Sequence, residues 1–216
     1  MNDPHQGFFA VWSRFYESTP LLGPMLRSQQ DAALARLAPR RGERILDLGC
    51  GPGRALRALR LLGCRAVGLD PSAEMARAAR EVAPVSRASA SALPLKTASV
   101  DGVLCTNSFH HYPEPLATLR EVRRVLRPGG RAVLVDPNLE HPAARLAIYG
   151  GEALLFGLGV HLHAPGEWRD LCRDAGFAEV EVERLSPLLP GLSRLPALAD
   201  WAAVSLCVVA RSPERP

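Results

Sequence analysis

The sequence predicts a three-layer α/β fold with a mostly parallel sheet, and three observations predict it. Apolar, strand-like runs alternate with amphipathic helical stretches along most of the chain. A glycine-rich loop, LDLGCGPGR at residues 46–54, directly follows the first apolar run. No internal repeat, low-complexity tract or composition shift marks a second domain, and 216 residues suit one sizeable core.

The elements read in order as follows. Residues 44–48 (RILDL) form a buried strand, and after the glycine loop residues 54–62 form a helix stopped by Gly63. A second strand, 65–70 (RAVGLD), leads to a second helix over 72–83, and a short third strand spans 84–88. Residues 100–106 (VDGVLCT) form a fourth strand, and 114–126 a helix ended by Pro128, Gly129 and Gly130. A fifth strand covers 131–136 (RAVLVD), and residues 167–175 a helix with Gly176 as its stop. Two alternating segments, FAEVEVERL and VSLCVVARS, close the sheet, joined by the long apolar connection SPLLPGLSRLPALAD.

Composition excludes several classes. The net charge is +4, with Lys96 the only lysine and the arginines interleaved with acids, so no basic face for nucleic acid is expected. The five cysteines, at 50, 64, 105, 172 and 207, have no metal or disulfide spacing and read as reduced, buried thiols of a cytoplasmic protein. The N-terminal residues lack the basic-then-apolar order of a signal peptide, and the most apolar stretch carries Glu152 and two histidines. Stable membrane insertion is not expected, which leaves room for peripheral contact.

The loop sits where open α/β sheets bind ligands, between the carboxyl end of a strand and the start of a helix. Its glycines, Gly49, Gly51 and Gly53, fall at alternate positions. A dinucleotide fingerprint needs a small residue at position 54 or 56, where Arg54 and Leu56 stand, so that reading fails on spacing.

The acid-x-Gly-x-Gly-x-Gly run from Asp47 to Gly53 resembles motif I of the class I S-adenosylmethionine-dependent methyltransferases. VGLDPSAEM, ALPLKTASVDGVLCTNSFHHY, VLRPGGRAVLVD and HAPGEWRDLCRDAGFAEVEV follow at the intervals of that family's later motifs, over residues 40–186. The resemblance implies a Rossmann-like, seven-stranded sheet with an antiparallel last strand, and S-adenosyl-L-methionine as cofactor. It implies close backbone approach at Gly49, Cys50, Gly51 and Gly53, with Asp47 near the methionyl ammonium. Asp70, followed by Pro71, would hold the ribose hydroxyls, Met75 would lie against the adenine, and Asn107 would line the methionyl end. Ser89, followed by Ala90, stands where the family commonly has an acid that takes a hydrogen bond from the adenine amino group.

No catalytic residue is assigned by the sequence. His110, His111, His161 and His163 are the candidates for a base, and two histidines alone make no metal site. The segment 1–40 is expected to be a helical cap on a single domain spanning 1–216, and 137–163 a lid insertion. Its aromatic and leucine-rich segments, including FFAVWSRFYESTPLLGPML, suit a small lipophilic or aromatic acceptor. The N-terminal stretch also resembles that of quinone and lipid biosynthesis methyltransferases. The alternatives are a methyltransferase-fold cofactor-binding protein without catalysis and an NAD(P)-dependent oxidoreductase. Oligomeric state is left open.

Overall fold

The computed structural model describes residues 22–155, 159–185 and 203–214. The elements are α1 (Leu22–Leu37), β1 (Arg44–Leu48), α2 (Arg54–Leu61), β2 (Arg65–Leu69), α3 (Ala73–Ala79), β3 (Val85–Ser86) and β4 (Val100–Thr106). They continue with α4 (Pro115–Val125), β5 (Leu126–Pro137), α5 (Pro142–Arg145), α6 (Pro165–Asp174), β6 (Glu179–Leu185) and β7 (Ser205–Arg211). A 3-10 turn, Phe109–His111, follows β4, and α5 runs into a wide-turned helix, Leu146–Leu155.

The strands form one seven-stranded sheet in the order β3-β2-β1-β4-β5-β7-β6. Pairing is parallel from β3 to β5, and β7 runs antiparallel to both β5 and β6. Alternation along β1 explains the layers. Ile45 faces a core built with Ala33 and Leu37 of α1, Leu56 and Leu59 of α2 and Ala76 and Ala79 of α3. Leu46 and Leu48 face the opposite core, with Leu119 and Val122 of α4 and Trp168 and Cys172 of α6. A sheet buried on both faces is what the near-continuous apolar strands require.

Several boundaries differ from the sequence expectation. The second helix ends at Ala79 rather than residue 83, because the chain breaks into turns before Pro84 enters the edge strand. The third strand is only two residues long. The fifth begins at Leu126, taking in Pro128, Gly129 and Gly130, with a register shift that pairs Val100 with Leu126 and Gly102 with Arg131. Residues 87–99 contain no helix or strand. They are held by α4: Glu121 accepts from Leu93 N at 2.8 Å, and Arg124 donates to the carbonyls of Leu93 and Leu95 at 3.1 and 2.8 Å.

All five cysteines are free and buried, and burial pushes the thiols of Cys105, Cys172 and Cys207 up to about 12. Residues 1–21 and the connection 186–202 lie outside the described residues, so most of the expected cap and the leucine-rich connection do too. No helix among the described residues is long and apolar enough to cross a membrane.

Candidate functional site

The three loop glycines have three different reasons to be glycine. All take positive φ, at 72°, 51° and 90° for Gly49, Gly51 and Gly53. A Cβ on Gly49 would lie 2.3 Å from Ser108 Oγ and 2.8 Å from the Tyr112 hydroxyl. On Gly53 it would meet Ala79 Cα at 3.1 Å, where α2 packs on α3. On Gly51 it would meet no atom of the described residues within 4 Å. Among the described residues, the middle glycine is the one of the three whose Cβ position is open.

Two buried carboxylates flank that space. Asp70, just past β2, accepts from Gly51 N at 2.8 Å through Oδ2 and from Ser72 N at 2.9 Å through Oδ1. Burial raises its pKa and the two backbone donors oppose the rise. Asp47, in β1, is 2% exposed, and its Oδ2 has no hydrogen-bond partner among the described residues. Burial, reinforced by the nearby Asp70 charge and opposed by Arg54, pushes Asp47 up to about 7. An unpaired buried carboxylate is costly unless a cation or donor meets it.

The remaining expected positions distribute as follows. Asn107 lies just past β4 in the left-handed region with φ 53°, and its Nδ2 donates to Gln29 Oε1 at 2.8 Å. Met75 is buried in α3, its N–H directed at Ser72 Oγ at 3.4 Å. Cys50 is buried beside Gly68, and burial raises its thiol pKa, so it is no nucleophile. Pro71 offers its carbonyl to Arg87 at 3.2 Å. Ser89 is exposed, its hydroxyl 2.9 Å from that of Ser91, while Ala90 is buried.

Sequence reasoning missed Gln29, Ser108 and Asp136. Gln29 Nε2 donates to Ser205 Oγ at 2.5 Å, so one α1 side chain links the ends of β4 and β7. Arg54 adds contacts from the glycine loop to Gln30 Oε1 and to the Leu26 carbonyl at 2.8 Å. Ser108 Oγ donates to Leu48 O at 3.2 Å and lies 3.1 Å from the Tyr112 hydroxyl, bracing the loop from below. Asp136 Oδ1 lies 2.8 Å from His110 Nδ1, with both residues buried. The signal for Asp136 was present, since an acid closes the fifth strand as one closes the first and second.

This geometry, a glycine loop with two carboxylates at adjoining strand ends, belongs to cofactor-binding α/β enzymes of the doubly wound class. The profile of the family described as "Methyltransferase domain" matches residues 46–134. A ubiquinone biosynthesis O-methyltransferase of Xanthomonas axonopodis pv. citri is 31% identical over 173 residues, 72% of this chain and 69% of that one. The chain spans 66% of the length of the corresponding Xanthomonas oryzae enzyme, and 35% of a transposon-encoded protein of Streptomyces fradiae. A chain of the complex between the Haloferax volcanii Trm112 methyltransferase activator and its methyltransferase superposes with TM-score 0.79 at 26% identity, covering 95% of this chain and 97% of that one. An S-adenosylmethionine-dependent methyltransferase of Mesorhizobium loti gives 0.69 at 26% identity, over 85% and 97%. The chain belongs to the class I S-adenosylmethionine-dependent methyltransferases, and its cofactor is S-adenosyl-L-methionine. The two alternative functions are not favoured by these relatives.

The residues present fit that cofactor. S-adenosylmethionine carries a sulfonium and an ammonium and no phosphate, and the site offers an unpartnered buried carboxylate oxygen, an open glycine and a second carboxylate at the next strand end. When bound, the cofactor supplies a methyl group already activated on sulfur.

Proposed function

We propose that this methyltransferase transfers the methyl group to a small lipophilic or aromatic acceptor. The observation that carries the reading is Leu146 and Tyr149, which are 76% and 40% exposed on the helical segment after β5. Large apolar side chains left exposed on a segment that follows a strand end suit a surface that an apolar ligand covers. The similarity to ubiquinone biosynthesis O-methyltransferases supports it. In this reading Asp47, Gly49, Cys50, Gly51 and Gly53 receive the methionyl part, Asp70 and Pro71 the ribose, and Met75, Ser89 and Ala90 the adenine. Asn107 lies at the methionyl end.

The chain acts as a single domain, 1–216, with 1–40 as cap and 137–163 as lid, in the cytoplasm and in contact with membranes at most peripherally. Its partner is the small substrate rather than nucleic acid. Methyl transfer asks the protein chiefly to align the acceptor in line with the methyl group and to exclude water. Gln29 suits that task, because it ties the cap helix α1 to Asn107 and to Ser205 at the ends of two strands.

The test is a turnover panel with S-adenosylmethionine. Catechols, naphthols and prenylated phenols are expected to be methylated, with Leu146→Ser and Tyr149→Ser raising KM several-fold and leaving S-adenosylhomocysteine affinity unchanged. Preferred turnover of small polar amines or nucleosides would overturn the reading.

A further inference from the structure

The two edges of the sheet are finished differently. On the face that carries Leu46 and Leu48, α4 packs on β5 and α6 on β6 and β7. Toward the β3 edge the same core takes Ala90, Leu93 and Leu95 from the helix-free stretch 87–99. A cavity of about 720 Å³ opens there, a size within the range of small-molecule sites. Its lining is apolar at depth. Leu46 and Val67 are register neighbours on β1 and β2, Leu69 follows on β2, and Pro94 and Leu95 join them from the stretch. Leu46 and Leu69 are buried, while Val67 and Leu95 are only partly so. None of the residues placed at the cofactor lines this cavity.

The rim is basic. Arg44 opens β1, Arg60 lies in the last turn of α2, and Arg80 follows the last residue of α3. Arg60 Nη1 donates to the Val82 carbonyl at 2.7 Å and Arg80 Nε to the Val85 carbonyl at 3.3 Å, which holds both guanidinium groups at lining residues. None of the three arginines has an ion-pair partner among the described residues, and Glu81 is the one acid lining the cavity with them. A second arginine-lined cavity, of about 400 Å³, makes the contrast: Arg36, Arg127, Arg131 and Arg211 there each pair with a carboxylate. Its charges are balanced from within, and those of the first cavity are not. Guanidinium groups in that state favour an anion, above all one that accepts two parallel N–H bonds.

We propose that the cavity at the β3 edge binds a small amphipathic carboxylate, its apolar body against Leu46, Val67 and Leu69 and its head at the three arginines. The site is separate from that of the cofactor, and the proposal stands whichever acceptor is methylated. An added β-strand suits this edge less well, because the edge groups are already used. Pro84 has no N–H, the carbonyls of Pro84 and Ser86 accept from Gly68 N and Asp70 N at 2.9 and 3.2 Å, and Arg80 occupies the Val85 carbonyl between them. A bilayer presents its head groups first and would meet the arginines without reaching the buried leucines. A free amphiphile enters tail first and leaves its head at the rim.

Calorimetry on the full-length protein with decanoate, decanol and acetate tests the proposal. Decanoate is expected to bind at one site, with decanol and acetate at least tenfold weaker, since each lacks half of the match. The double variant Arg44→Gln, Arg80→Gln should weaken decanoate at least tenfold and leave S-adenosylhomocysteine affinity within twofold. Leu146→Ser, on the proposed acceptor surface, should leave decanoate binding unchanged, so this proposal and the acceptor reading fail separately. Carbon-13 methyl NMR needs no variant: decanoate should shift Val67 and Leu95 and spare Leu146. Absence of decanoate binding, equal binding of decanoate and decanol, unaltered affinity in the arginine variant or shifts confined to Leu146 would each overturn the assignment. So would binding to phosphatidylglycerol vesicles with none to free decanoate, which would make this edge a membrane contact.

Discussion

Gly51 N donates to Asp70 Oδ2 at 2.8 Å, so the loop glycine whose Cβ position is open among the described residues is tied to the carboxylate at the end of β2. Parallel pairing of β1 with β2 brings the two strand ends together, and Ser72 N holds the other carboxylate oxygen at 2.9 Å. Asp70 is thus oriented before any ligand arrives, and its remaining lone pairs are directed from a fixed position.

Asp70→Ala is accordingly expected to act twice. If Asp70 holds the ribose as proposed, the change removes a charged acceptor worth about 1.5–3 kcal/mol and so weakens S-adenosylhomocysteine binding at least tenfold. It also leaves two backbone donors without their acceptor, so the melting temperature falls. Asp70→Asn retains one oxygen and should show a smaller loss of each kind. Calorimetry with unchanged affinity in a folded variant would remove Asp70 from the site.

The glycines separate stability from binding. A side chain in the left-handed region costs about 1–2 kcal/mol at any of them. Gly49→Ala adds a clash with Ser108 at 2.3 Å, and Gly53→Ala crowds the α3 backbone at 3.1 Å. Gly51→Ala meets nothing among the described residues. The expected order of destabilisation by thermal melting is Gly49, Gly53, then Gly51, whereas Gly51→Ala should lose the most cofactor affinity per degree of melting temperature. If Gly51→Ala binds as the wild type does, the cofactor does not approach there.

What could be read in the sequence was what is local. Asp47 and Asp70 stand at the ends of apolar runs, and the loop and its helix follow within a few residues, so strand, turn and carboxylate are all written in one short window. The cost of three glycines was visible there too, but not its causes. Ser108 and Ala79, which exclude side chains at Gly49 and Gly53, arrive from other elements. Gln29 reaches Ser205 across 176 residues, and no periodicity in α1 announces that contact. His110 was a visible candidate, yet its partner Asp136 is 26 residues away and becomes a neighbour only through the β4–β5 pairing. The fifth strand was underestimated because Pro128, Gly129 and Gly130 read as a turn, whereas a register shift lets them continue the ladder.

Ser89 offers a gain-of-binding test. Its hydroxyl is exposed and shared only with Ser91 in a local turn, and the segment SRASASALPL contains no acid. If it occupies the adenine-amino position, Ser89→Asp supplies a charged acceptor and should tighten S-adenosylhomocysteine by about 1 kcal/mol, several-fold. A ligand with the amino group replaced, such as S-inosylhomocysteine, should gain nothing. An equal gain for both ligands would show that position 89 does not face the amino group.

Asp47 links cofactor binding to pH. Burial and then the Asp70 charge, against the pull of Arg54, raise its pKa from 3.8 to about 7. Its folded-state pKa lies above the unfolded value, so between these two the folded chain holds more protons than the unfolded one. Stability without ligand must therefore fall as pH rises through that window, by up to about 1.4 kcal/mol per unit, and level off above it. Cofactor binding runs the other way. A ligand ammonium and sulfonium favour the ionised carboxylate, so S-adenosylmethionine should bind more tightly as pH rises to about 7, releasing close to one proton below that point. Calorimetry in buffers of different ionisation enthalpy measures that proton directly. Asp47→Asn should abolish the proton release, flatten the stability slope and raise the ligand-free melting temperature at pH 8, while weakening the cofactor at least tenfold. Proton release that survives in Asp47→Asn would place the titrating group elsewhere and leave Asp47 without its part in the site.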